Sequence, residues 1–133
     1  MPSGKIPGTV FEQTILSPTF DTPTFTGFQI EQTADLTAFA TGGQASATPI
    51  TTPVARVTVC ATGGDSVKLP ATTGKVSTQV FVANAGAASL NVFPATGEQI
   101  NALGANAAFA VAAGKTATFI VTAAGQWHAI LSA

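Results

Sequence analysis

Val76-Ser77-Thr78-Gln79-Val80-Phe81-Val82-Ala83-Asn84-Ala85-Gly86-Ala87-Ala88-Ser89-Leu90-Asn91-Val92-Phe93-Pro94 is the stretch whose pattern sets the fold class. Val76, Thr78, Val80 and Val82 share one face of an extended chain, and Ser77, Gln79 and Phe81 share the other. A repeat of two is the signature of a strand, and apolar residues on both faces indicate a sheet covered on both sides over part of its length. Asn84-Ala85-Gly86 supplies turn chemistry. Leu90 and Val92 then alternate with Asn91 and Phe93 in a second strand that Pro94 stops.

The same reading extends in both directions. Residues 44–50, 54–61 and 66–69 upstream, and 108–112, 116–122 and 126–131 downstream, are short alternating runs separated by Gly, Pro, Asn and Asp. Short strands at this spacing predict an all-β chain with a β-sandwich or jelly-roll-like body. Residues 66–69, ended by Pro70, read as a strand near an edge, and Ala113-Gly114-Lys115 reads as a hairpin turn. Residues 31–43 fit either a short helix ending at Gly42 or a strand with a turn. Ala-Thr-Gly triplets recur as turn chemistry, but no fixed period supports a solenoid.

Composition narrows the possibilities. With 133 residues and 13.2 kDa the chain fits one small domain. Ala, Thr and Gly supply 59 residues, whereas Leu, Ile, Val and Phe supply only 33, so the core is built of small side chains and oligomerisation is a natural support. Charged residues are 8 % of the chain and the net charge is -1, with no basic cluster, which argues against direct contact with nucleic acid or an acidic membrane surface. No apolar run is long enough for a membrane span, and the N-terminus lacks the basic start and apolar stretch of a signal peptide; synthesis in the cytoplasm is expected.

The first 30 residues differ from the rest. Pro2, Pro7, Pro18 and Pro23 oppose regular structure, yet Phe11, Ile15, Leu16, Phe20, Phe25 and Phe28 run through the same segment. Such side chains need cover, which points to an extended N-terminal arm that docks on a neighbouring subunit, on another protein or on its own body. The chain therefore divides into an arm at 1–30 and a β-rich assembly domain at 31–133, with the arm's six apolar residues as the candidate partner-binding set.

Residues able to carry chemistry are few. His128 is the one histidine, and no acid or nucleophile pattern accompanies it, so no catalytic residue is assigned and an enzyme is not expected. Cys60, inside Val57-Thr58-Val59-Cys60-Ala61, reads as a small buried hydrophobe. One Cys and one distant His make no zinc set, and Asp65 beside Gly63-Gly64 is a poor calcium loop, so neither metal nor cofactor is assigned. Ala112-Ala113-Gly114-Lys115-Thr116 lacks the upstream glycine of a phosphate-binding loop. Trp127 reads as core or interface, with stacking on a sugar ring as the alternative.

The stretch Val80-Phe81-Val82-Ala83-Asn84 through Asn91-Val92-Phe93-Pro94-Ala95-Thr96-Gly97-Glu98-Gln99-Ile100-Asn101, with Ala112-Ala113-Gly114-Lys115-Thr116 and Gly125-Gln126-Trp127, resembles small virion proteins of tailed bacteriophages and prophages. Gln44-Ala45-Ser46-Ala47-Thr48-Pro49-Ile50 and Val67-Lys68-Leu69-Pro70 extend the likeness, which covers residues 44–131. It implies a structural component of the virion: a head decoration or cement protein, placed as a homotrimer on the capsid surface and bound to the major capsid protein. A tail-fibre or baseplate module that binds a host glycan is the alternative. The resemblance supplies no catalytic residues; it makes Asn84, Gly86, Asn91, Pro94, Gly97, Asn101, Gly114 and Trp127 turn and packing positions.

Overall fold

The computed structural model describes residues 35–133, and the arm with Phe11, Ile15, Leu16, Phe20, Phe25 and Phe28 lies outside the described residues. Within them the chain is all-β, with no helix. The strands are β1 (Leu36–Thr37), β2 (Thr48–Pro49), β3 (Val54–Val59), β4 (Ser66–Lys68), β5 (Gln79–Asn84), β6 (Leu90–Phe93), β7 (Gln99–Ile100), β8 (Phe109–Val111), β9 (Thr116–Ala123) and β10 (Gln126–Leu131). They make a six-stranded sheet, ordered β1-β3-β5-β9-β10-β7, and a four-stranded sheet, ordered β2-β4-β6-β8.

The connections replace the expected sandwich or jelly roll with a β-solenoid-like stack. Each of the first three passes lays a strand in the larger sheet, crosses an arch and lays the next strand in the smaller one. Consequently β1, β3 and β5 run parallel, as do β2, β4 and β6. Parallel neighbours need a long crossover, and here the opposite sheet provides it. Sandwiches and jelly rolls are instead built on antiparallel pairing between neighbours.

Unequal return loops hide the repeat. Leu36 lies beside Val57 and Thr48 beside Val67, offsets of 21 and 19 residues. Val54 lies beside Phe81 and Ser66 beside Asn91, offsets of 27 and 25. The difference sits in the loop between β4 and β5, residues 69–78, which is longer than the loop at 50–53 between β2 and β3. Val76, expected on a strand face, is in that loop and 59 % exposed, and Ser77 next to it turns the chain with φ +76°.

A reversed pass closes the stack. β8 pairs antiparallel with β6, and β9 pairs antiparallel with β5. Ala113-Gly114-Lys115 therefore joins strands of different sheets; it is an arch rather than the expected hairpin turn. The true hairpin is β9–β10, turned at Ala124-Gly125 with Gly125 at φ +78°. β4 lies between β2 and β6, so residues 66–68 are interior to their sheet rather than near an edge; Pro70 falls after the strand and costs no ladder bond. Of the two readings of residues 31–43, the described part takes the strand with a turn.

Beyond β10 the backbone meets only the two residues of β7, and Asn101 continues the pairing with its side chain. Its Oδ1 accepts the Ala129 N–H at 2.8 Å, and its own N–H donates to the Trp127 carbonyl at 2.8 Å. The φ of +52° that this needs is one asparagine tolerates better than most residues. An open edge is thereby blunted.

Alternation decides what fills the space between the sheets. Ala55 and Val57 of β3, Val80 and Val82 of β5, Ala117, Phe119 and Val121 of β9, and Trp127 of β10 point inward. They meet Val67, Leu90, Val92 and Val111 from the smaller sheet in one continuous cluster. Phe109 meets Phe119 edge to face, with ring centroids 5.6 Å apart.

Candidate interaction surface

The arches are where this chain spends its buried polar groups. Between β3 and β4, Asp65 accepts the N–H groups of Ala61 at 2.8 Å and Thr62 at 3.1 Å, and the Thr62 hydroxyl at 2.7 Å. It also accepts the Thr41 N–H at 3.0 Å, tying this arch to the one above it. Donors on both oxygens, the Thr62 hydroxyl foremost, hold the carboxyl at a pKa of about 2. These donors occupy the oxygens that a calcium loop would need.

That depression sets an expectation for acid stability. The folded carboxyl titrates below its unfolded value, so its contribution is complete above a pH of about 4 and is lost as pH falls through about 2. Asp65→Asn is expected to lower Tm by several degrees at neutral pH. The gap to wild type should narrow as pH falls from about 4 through about 2, where the wild-type carboxyl takes up its proton. Thermal melts across that range test it; a gap independent of pH would refute the role given to the ionised group.

The other residues singled out in the sequence have structural partners. Cys60 is buried; burial first, and the Asp65 charge second, raise its thiol pKa, which suits the packing role expected of it. Trp127 is wholly buried and donates Nε1–H to Glu98 Oε2 at 3.3 Å, so its ring presents no face for a sugar. Glu98 Oε1 accepts both the N–H and the hydroxyl of Thr72 at 2.8 Å, and Thr72 Oγ1 accepts the Gly125 N–H at 2.7 Å. Sequence reading passed over this network because its members are far apart in the chain. His128 is exposed, with Nδ1 2.8 Å from Thr122 Oγ1. The Gly114 N–H, in the loop weighed against a phosphate site, donates to the Asn84 carbonyl at 2.8 Å.

No His, Cys, Asp or Glu cluster fit for a metal occurs among the described residues. A shallow cleft of about 270 Å³ runs between the return loops, walled by Pro53, Pro70 and Val80, with Lys75 as its ionisable group. Among the described residues no second ionisable group lines that cleft.

The outward face of the larger sheet has a more definite character. Register aligns Val54 of β3 with Phe81 of β5, Phe81 with Thr118 of β9, and Thr118 with Ile130 of β10. These form a row across four strands, with Ile130 72 % exposed. Ala83 and Ile120 flank the row in the adjacent registers. Arg56 is the charged residue on this face, and its Nη1 lies 2.8 Å from both oxygens of Asp35. Asp35 immediately precedes β1, so the ion pair ties the first described residue to the outward side of the sheet.

No family model matches the chain, and no curated protein or solved structure matches it either. Its function is therefore read from its own residues and geometry.

Proposed function

We propose that the chain is a capsid decoration protein of a tailed bacteriophage, attached as a homotrimer to the outer surface of the head through the major capsid protein. The observation that carries this reading is a Phe-bearing, Pro-punctuated arm joined at a fixed point to a body whose buried polar groups are satisfied internally. A body of that kind suits a static spacer, because its polar chemistry is consumed in holding arches together. An apolar arm suits attachment through many modest contacts. The sparse charge fits surfaces used in assembly, and the resemblance over residues 44–131 names the kind of assembly.

Binding to shells lacking the protein tests this directly. Wild type is expected to co-sediment with expanded heads and saturate at a multiple of three copies. A variant with Phe11, Ile15 and Leu16 all changed to Ser removes about 1.5–3 kcal/mol of apolar burial per side chain, so binding should weaken at least about a hundredfold. Protein that ignores heads and partitions onto isolated tails would overturn the reading in favour of an appendage.

A further inference from the structure

We infer that the outward face of the six-stranded sheet is the seat of this chain's own residues 20–30, with Phe20, Phe25 and Phe28 covering the row Val54, Phe81, Thr118 and Ile130. The inference concerns the free chain and stands whether or not that chain binds a shell.

The face and the segment match in chemistry. The row is apolar except for the Thr118 hydroxyl, and Ile130 at 72 % exposure is the least covered large side chain on it. A sheet face of this kind on a chain with so few charges calls for cover. Residues 20–30 supply three phenylalanines and Ile30 with a single charge, Asp21.

Reach and position favour the same chain over a second copy. Asp35, held by Arg56, starts the chain at the β1 margin of the face. From β1 to β10 there are four strand spacings, about 19 Å in all at roughly 4.8 Å each. The seven residues from Phe28 to Asp35 extend to about 23 Å at roughly 3.3 Å per residue, enough to bring Phe28 to the far strand and Phe25 back over the middle. A tether this short gives an effective concentration of the order of millimolar, well above that of a second molecule in dilute solution. The seat leaves Phe11, Ile15 and Leu16 beyond the body's edge for another protein.

Cysteine cross-linking in the full-length chain tests the seat. Phe28→Cys is paired with Thr118→Cys on the face, and the same pair carrying Phe81→Lys is the control, since a wandering arm reaches Thr118 as readily with either residue at 81; each is treated with a short bismaleimide at micromolar protein. Cys60 is buried and its raised thiol pKa keeps it from competing. The expected result is an intrachain product about tenfold more abundant with Phe81 present than with Phe81→Lys. Equal yields with and without Phe81→Lys would overturn the inference. A predominantly interchain product would also overturn it, by giving the face to a second copy.

Discussion

Gly86→Ala is expected to destabilise the body by about 3 kcal/mol or more, with Gly86→Val leaving little folded protein at room temperature. The arch after β5 stacks on the arch after β3, with the Ala87 and Ala88 N–H groups donating to the Cys60 carbonyl at 2.9 and 3.0 Å. A β-carbon at Gly86 would stand 2.5 Å from Cys60 Cβ, 2.7 Å from its nitrogen and 2.9 Å from its oxygen. Two of those three atoms are backbone, so a rotamer change at Cys60 relieves nothing, and the arches must separate and lose their hydrogen bonds. Urea unfolding followed by Trp127 fluorescence measures the loss. A midpoint within error of wild type would show that the arches are not in register as described.

Asn84→Leu, equal in side-chain heavy atoms and more apolar, is nevertheless expected to cost about 4 kcal/mol. Asn84 is the last inward residue of β5 and 1 % exposed. Its Nδ2 donates to the carbonyls of Ala88 and Val111, each at 2.8 Å, and its Oδ1 accepts the Gly86 N–H at 3.0 Å. One side chain thus holds its own arch closed and ties it to β8 in the other sheet. Leucine would strand the buried Val111 carbonyl and remove the partner of the part-buried Ala88 carbonyl and Gly86 N–H, at about 1–3 kcal/mol apiece, which outweighs the gain from added apolar surface. Asn84→Asp should be similarly damaging, since a carboxylate cannot donate to two carbonyls. Thermal and urea melts would reveal it; a leucine variant as stable as wild type would mean the network is dispensable.

Local alternation was readable because each strand's two faces meet different surroundings. Val80 and Val82 in β5, Phe119 and Val121 in β9, and Trp127 in β10 all point where their period of two requires. Pairing was not readable, because an arch and a hairpin are both written as strand, small residues, strand. Ala113-Gly114-Lys115 and Ala124-Gly125 have similar chemistry, yet the first changes sheets and the second does not. The loop at 69–78 spoiled the one global signal, a constant repeat. Gly86 was legible as a turn glycine, though what demands it is the close approach of Cys60, a residue from the preceding pass. Asn84 likewise looked like turn chemistry, and its second role toward Val111 depends on a strand contributed much later in the chain. The outward row fared no better: Val54, Phe81, Thr118 and Ile130 become neighbours only once the strand order is known.

The short first strand has a mechanical meaning. Once residues 20–30 have left the proposed seat, a pull from the N-terminal side reaches Asp35 and the two residues of β1, the outermost strand of the larger sheet. Behind the exposed Arg56–Asp35 pair, β1 has only β3 beside it in the sheet, whereas β3, β5, β9 and β10 each have a neighbour on both sides. On the proposed role, strain between shell and body would reach that margin first and the core of the later passes last.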